Sequence, residues 1–221
     1  MQKKVSFLTG FPRSGNTLLS KILNQNKDIG TSGHSSLPDV LFNLDLIKSK
    51  NTYNNFKSDK DYNNILTNIF NNYYKDWPQK YIIDRGEWAT PANYALLFKY
   101  FYQDIKIIFL LRNPIDVIKS YIELCNNHPN FYINQQYNEL DKTSLHRTEL
   151  EEKIELITKK GDLVDWSFMA YNFIKDKKNV HFVKYEDLVE DPKKTLNGIY
   201  GFLNIPEFKH NFDIKDQFLI N

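Results

Sequence analysis

The sequence predicts an α/β fold in which a central parallel sheet carries helices on both faces. Short apolar segments alternate with longer segments whose apolar residues recur at helical spacing, and this alternation is typical of parallel strands joined by crossover helices. The segment KIIFLL, Lys106 to Leu111, is apolar almost throughout and therefore indicates a central strand covered on both faces. Polar motifs directly follow the predicted strands, at the end where such sheets bind ligands.

Local patterns predict four strands and eight helices. The predicted strands are the short apolar runs Val5–Leu8, Tyr81–Ile83, Lys106–Leu111 and Val180–Val183. The predicted helices, of which three carry proline in the first turn, are residues 16–23, 39–47, 65–74, 91–102, 114–124, 148–159, 164–175 and 191–203. Gly161 is expected to separate the sixth helix from the seventh, and residues 24–36, 48–64, 126–147 and 204–221 are expected to be mostly irregular.

Composition limits the kinds of partner that the chain can have. With 221 residues, 41% of them hydrophobic, we expect residues 1–221 to form a single domain with a sizeable core. A net charge of +2 argues against nucleic acid or an anionic membrane as a partner. A single cysteine, Cys125, excludes an intrachain disulfide framework and favours a cytoplasmic location. Because the first predicted strand begins at residue 5, we expect no signal peptide, and because no apolar run approaches the required length, we expect no membrane span.

The turn GFPRSG, between the first strand and the first helix, is predicted to bind phosphate. The helix that follows it directs unpaired N–H groups and the positive end of its dipole toward the turn. Gly10, Gly15 and Thr17 match the phosphate-loop pattern G-x-x-x-x-G-K-[ST], so the sheet is P-loop-like, but Asn16 occupies the lysine position. Without that lysine we expect the loop to hold a phosphate, with Arg13 as the cation, but not a triphosphate. The alternative is an ordinary strand-to-helix turn with capping side chains.

The segment PRSGNTL, Pro12 to Leu18, resembles the 5′-phosphosulfate loop of sulfotransferases, which use 3′-phosphoadenosine 5′-phosphosulfate (PAPS). Its form is most similar to tyrosylprotein sulfotransferases and related bacterial enzymes. The resemblance implies PAPS as the donor, bound by Arg13, Ser14, Gly15, Asn16, Thr17 and Leu18. Leu18 stands where cytosolic members carry an adenine-stacking tryptophan, so the adenine must be held in another way.

A second motif, RNPIDVIKS, places Ser120 eight residues after Arg112. Arg112 leaves the end of the central strand, and a guanidinium binds phosphate through two parallel hydrogen bonds. The alternative is an ion pair between Arg112 and Asp116 at the helix start. The motif resembles the family's 3′-phosphate motif, which has the same spacing. The resemblance therefore implies that Arg112 and Ser120 bind the 3′-phosphate of PAPS.

A third motif, YEDL followed by DP, begins at Tyr185. By itself it predicts only a strand, a turn and a capped helix. It is similar to a family segment whose tyrosine lies near the adenine, so the resemblance implies that Tyr185 contacts the nucleotide. The basic C-terminal segment that completes the 3′-phosphate site in cytosolic members is not visible after Leu203.

Sulfuryl transfer to a hydroxyl needs a base on the acceptor and a cation at the leaving phosphate. By ungapped counting, His34 falls where tyrosylprotein sulfotransferases carry their base glutamate, and imidazole titrates near neutral pH. The alternatives are that His34 is a solvated loop residue or that Glu87 is the base. We expect Arg85, together with Arg13, to neutralise charge at the reacting centre, the alternative being an Asp84–Arg85 ion pair.

The sequence therefore predicts a PAPS-dependent sulfotransferase that acts on an acceptor hydroxyl and requires no metal. The acceptor can be a small molecule, a carbohydrate or a peptide, and the sequence does not predict the oligomeric state. Two alternatives remain: a small-molecule kinase with a degenerate phosphate loop, and an inactive nucleotide-binding module.

Overall fold

A computed structural model describes residues 3–50, 55, 59–101, 104–141, 147–159 and 163–212. Over these ranges five parallel strands form one sheet in the order β2-β3-β1-β4-β5. The strands are β1 Lys4–Gly10, β2 Ile29–Thr31, β3 Tyr81–Arg85, β4 Ile107–Leu111 and β5 Val180–Lys184. The predicted α/β class with a parallel central sheet is confirmed.

Ten α-helices and one 3₁₀ helix are assigned within the described ranges. They are α1 Asn16–Leu23, α2 Leu37–Leu46, the 3₁₀ helix Ile47–Ser49, α3 Asp59–Tyr73, α4 Pro91–Tyr100, α5 Pro114–Asn127, α6 Tyr132–Glu139, α7 Glu149–Thr158, α8 Leu163–Ile174, α9 Tyr185–Glu190 and α10 Pro192–Leu203. No helix in these parts of the chain combines the length and the apolar character needed to cross a bilayer.

Alternation along the strands divides the core into two layers. In β1, Phe7 packs on one face and Leu8 on the other, because successive side chains of a strand point to opposite sides. The first layer joins the sheet to α2, α3, α4 and α8, and the second joins it to α1 and α10. A smaller cluster unites α5, α6, α7 and the start of α8. Helices therefore cover both faces, as the sequence predicts.

The position of β1 in the sheet brings three strand ends together. β1 pairs with β3 in the register Leu8↔Arg85 and with β4 in the register Gly10↔Leu110. The loop that leaves β1 therefore lies between the carboxyl ends of β3 and β4. Arg85 ends β3 and Arg112 follows β4, so both side chains start beside this loop.

The C-terminal segment, residues 204–212, folds back onto the end of α1. Gln25 and Asn211 exchange two hydrogen bonds: the Gln25 side chain accepts from the Asn211 N–H at 2.9 Å and donates to the Asn211 carbonyl at 3.0 Å. His210 is buried beside Tyr200 of α10, with 3.0 Å between Nε2 and the phenol oxygen. This segment is irregular as predicted, and residues 213–221 lie outside the described part of the chain.

Besides the short 3₁₀ helix Ile47–Ser49, three elements were not predicted. β2 has only three residues inside a polar stretch, and it forms because pairing with β3 buries Ile29 and Gly30. α6 is rich in Asn and Gln, and it buries only Ile133 and Asn134, so its apolar period is weak. α9 directly continues β5 and buries only Leu188, which left no periodic signal. The predicted helix break at Gly161 lies outside the described residues.

Candidate active site

The loop between β1 and α1 requires unusual backbone conformations at three positions. φ is 151° at Gly10, 58° at Arg13 and 91° at Gly15, which is the residue that precedes α1. A Cβ atom on Gly10 would lie 2.4 Å from the Leu110 carbonyl oxygen, so glycine permits the close approach of the loop to β4. The backbone therefore wraps around the N-terminus of α1, as a phosphate-binding loop requires.

Two polar side chains brace this loop from inside. Ser14 is fully buried and donates a hydrogen bond to the Phe11 carbonyl. Asn16 donates from Nδ2 to the same carbonyl at 3.1 Å and to the Ser14 hydroxyl at 3.2 Å. Asn16 thus fixes the shape of the loop, and it supplies no positive charge at the position of the missing lysine.

Arg112 contacts the loop at the backbone of Arg13. The Arg112 guanidinium donates from Nη1 to the Arg13 carbonyl at 2.6 Å, and Arg13 donates from Nε to the Ser120 hydroxyl at 3.0 Å. Arg112 also stacks on Tyr185, with its Cζ atom 4.3 Å from the ring centroid. Asp116, the alternative partner of Arg112, pairs with Lys119 at 3.4 Å. The second and third motifs therefore converge on the first.

Arg85 approaches the loop from the other side and donates from Nη1 to the Thr17 hydroxyl at 2.9 Å. Partial burial lowers the pKa of Arg85 below its usual value. Asp84 points to the opposite face of β3, where its carboxylate accepts from Tyr74 at 2.8 Å and from Trp88 at 2.7 Å. Burial raises the pKa of Asp84, and these hydrogen bonds oppose the increase. The hydrogen bond of Arg85 thus goes to the loop, whereas Asp84 bonds to the core.

A cavity of about 430 Å³ opens over the loop. Its lining includes eight of the predicted site residues: Arg13, Gly15, Asn16, Thr17, Leu18, Arg85, Arg112 and Tyr185. Ser14, a buried residue of the loop, does not line the cavity, and Ser120 adjoins the cavity through Arg13. A cavity of about 330 Å³ lies at the opposite end of the strands, near Lys3, Tyr81 and Asn204, away from all three motifs.

His34 lies in the exposed loop between β2 and α2 and does not line the larger cavity. The serines that flank it are anchored on the backbone of Arg85: the Ser32 hydroxyl accepts from the Arg85 N–H, and the Ser35 N–H donates to the Arg85 carbonyl, both at 2.7 Å. Glu87, also exposed, follows two residues after Arg85. Both candidate bases are thus held near the end of β3.

The sequence profile of the sulfotransferase family matches residues 6–210, which include every motif described above. The chain belongs to the sulfotransferase family. A comparison with curated protein sequences finds no match.

Solved structures of other sulfotransferases share the fold of this family member. The sulfotransferase domain from the curacin biosynthetic pathway is 18% identical, with a TM-score of 0.57, over 94% of this chain and 76% of that one. The Alicyclobacillus acidocaldarius sulfotransferase is 16% identical, with a TM-score of 0.58, over 97% of this chain and 87% of that one. Mouse sulfotransferase SULT7A1, complexed with PAP, is 20% identical, with a TM-score of 0.51, over 95% of this chain and 62% of that one.

Sequence reasoning missed part of the cavity wall of this sulfotransferase-family chain: Lys21, Tyr121, Leu124, Phe131 and Tyr132. Helical spacing could have found Lys21 and Leu124, because they lie one turn after Thr17 and Ser120. Tyr121 directly follows Ser120, a spacing that does not place two side chains on one face of a helix. Phe131 and Tyr132 had no such signal, since α6 itself was not predicted. Over the described ranges, no group of three or more His, Cys, Asp or Glu residues could hold a metal ion.

Proposed function

We propose that this chain, as a single domain, transfers a sulfuryl group from PAPS to an acceptor hydroxyl. The observation that carries the proposal is that Arg13 and Arg112 line one cavity together with a phosphate loop. PAPS has charged groups at both ends of its ribose, and this cavity offers a cationic contact for each. Membership of the sulfotransferase family supports the same reaction.

In this proposal the 5′-phosphosulfate lies against the N–H groups at the start of α1, where the helix dipole favours an anion. The 3′-phosphate binds Arg112 and Ser120. Arg112 uses Nη1 for the Arg13 carbonyl and keeps further N–H donors for a ligand. Tyr185, stacked on the guanidinium, holds it in this orientation.

The proposed step is an in-line displacement at sulfur. The acceptor oxygen forms a bond to sulfur, the bond from sulfur to the 5′-phosphate oxygen breaks, and 3′-phosphoadenosine 5′-phosphate (PAP) leaves with the electron pair. The acceptor proton passes to His34 or, as the alternative, to Glu87. Arg13 and Arg85 offset the negative charge that develops at the bridging oxygen, so the proposed step needs no metal.

Asn16 argues against the kinase alternative. A kinase of this fold uses the loop lysine to reach the β- and γ-phosphates. Asn16 is uncharged, and its side chain is bonded within the loop. The loop therefore suits a single phosphate or phosphosulfate group better than a triphosphate.

The test is a transfer assay with PAPS labelled in its sulfate, over a panel of sugars, phenols, aliphatic alcohols and peptides. We expect labelled product from at least one acceptor class, and tight binding of PAP in calorimetry. Tight PAP binding without transfer to any class would favour the inactive binding module. Magnesium-dependent turnover of ATP, without binding of PAP, would favour the kinase.

A further inference from the structure

The cavity over the phosphate loop has an apolar part that the proposed phosphate contacts leave unused. Its wall consists of Leu18 from α1, Leu124 from α5, and the rings of Phe131 and Tyr132 where α6 begins. Both rings are partly exposed. An apolar wall with aromatic rings, next to cationic groups, suits a planar heterocycle that is attached to phosphates.

Tyr185 and Tyr121 are the other aromatic residues of the cavity wall, and each packs on a residue of the phosphate site or of this wall. The Tyr185 ring is wedged between two residues of the phosphate site: the Arg112 guanidinium stacks on it at 4.3 Å, and a Cβ atom on Gly15 would lie 2.7 Å from it. Tyr121 is 5% exposed and stacks on Phe131, with 6.2 Å between ring centroids and 26° between ring planes. Tyr185 therefore orients Arg112, and Tyr121 supports Phe131 from the core.

We infer that Phe131 and Tyr132 form the stacking surface for the adenine of the donor nucleotide. This inference rests on the proposed function and adds to it the part of the chain that recognises the base. The two rings contact each other edge to face at 4.7 Å, and Tyr121 supports Phe131, so little side-chain freedom is lost when a base stacks on them. The corner between α5 and α6 thus supplies the aromatic surface that Leu18 does not.

The test compares two ligands that differ only in the base: PAP, and the abasic tetrahydrofuran analogue of its ribose 3′,5′-bisphosphate. Phe131→Leu and Tyr132→Leu keep apolar volume and remove the ring. We expect each variant to bind PAP about tenfold to a hundredfold more weakly than the parent protein, the range for loss of one base stack. Binding of the abasic bisphosphate should be unchanged, because its phosphate contacts remain.

Two further variants separate stacking from a general effect on the fold. Tyr132→Phe keeps the ring and should keep the affinity for PAP. Tyr137→Leu lies on the same helix, where its ring contacts Lys153 at 5.4 Å and does not line the cavity, and it should bind both ligands normally. The inference would be overturned if the Leu variants bound both ligands more weakly by the same factor, or if they bound PAP as tightly as the parent protein does.

Failure of this inference is distinguishable from failure of the proposed function. If the parent protein does not bind PAP, the proposed donor is wrong. If it binds PAP and loses affinity when Arg112 is replaced, but not when Phe131 or Tyr132 is replaced, the donor stands and the stacking surface is wrong.

Discussion

Arg112 connects the three motifs, since it contacts the loop carbonyl of Arg13 and the ring of Tyr185. We expect Arg112→Ala to weaken PAP binding by about tenfold to a hundredfold, because a charge-assisted hydrogen bond contributes roughly 1.5–3 kcal/mol. Binding of adenosine 5′-phosphate should fall much less, since that ligand lacks the 3′-phosphate. Calorimetry with the two nucleotides measures the difference.

Two variants control this comparison. Arg147→Ala removes an exposed arginine that pairs with Glu155 at 3.3 Å, and it should leave the affinity for both nucleotides unchanged. Arg112→Lys keeps the charge but loses the planar fork, so it should recover only part of the affinity. If Arg112→Ala lost the same factor of affinity for both nucleotides, Arg112 could not be assigned to the 3′-phosphate.

His34 is the proposed base because its loop is anchored on the backbone of Arg85. We expect His34→Ala to lower kcat by about a hundredfold or more, the usual contribution of a general base, while the Kd for PAP stays the same. Single-turnover transfer to the best acceptor of the panel measures the first quantity, and calorimetry measures the second.

Glu87→Gln is the matched variant for the rival base. It removes the carboxylate with almost no change in size, at an exposed position two residues beyond Arg85. Normal turnover in His34→Ala combined with slow turnover in Glu87→Gln would transfer the role of base to Glu87.

The contact between the phosphate loop and β4 depends on the absence of a side chain at Gly10. We expect Gly10→Ala to destabilise the fold by about 1–3 kcal/mol, because its Cβ atom would meet the β4 backbone, which cannot move without breaking the sheet. Gly201→Ala is the control: apart from the adjoining backbone of α10, no atom of the described residues lies within 4 Å of its Cβ position, and the change should stabilise by about 0.5–1 kcal/mol. Urea unfolding measures both, and unchanged stability in Gly10→Ala would contradict the proposed contact.

The sequence predicted those helices and strands whose buried residues form a clear pattern, either a helical repeat or a continuous apolar run. In α1, Leu19, Ile22 and Leu23 are buried at helical spacing, and β4 is apolar throughout because both its faces are covered. β2 and α6 could not be predicted in this way. β2 is defined by pairing with a strand some fifty residues further along the chain, and only two residues of α6 are buried.

The same distinction holds for the site. The phosphate loop, Arg112 and Tyr185 lie in local motifs that directly follow or end strands, so their positions follow from the topology. Phe131 and Tyr132 reach the cavity only because α5, α6 and α7 pack into a separate cluster, which is a long-range arrangement. The contribution of Phe131 and Tyr132 to the cavity wall could therefore be recognised only from the structure.

Two histidines, the buried His210 and the half-buried His181, couple the stability of the chain to pH. Burial lowers the pKa of His181 and of His210 below the usual value of about 6.5. As the pH falls below about 6.5, the unfolded chain therefore takes up protons at these residues more readily than the folded chain, and the free energy of unfolding decreases. We expect a lower Tm at about pH 5.5 than at about pH 7.5, and a smaller difference in His210→Gln. An undiminished difference in that variant would show that His210 does not contribute.

The order of the strands has a consequence for which donors the site can accept. Arg85 ends β3 and Arg112 follows β4, the two neighbours of β1, so two strand spacings, roughly 10 Å across the sheet, separate the strands that carry them. Main-chain hydrogen bonding sets this interval, and no exchange of side chains elsewhere can stretch or shrink it. In the proposed reaction, the surrounding surface can therefore diverge and select new acceptors, while the spacing of these strands continues to fit the same donor nucleotide.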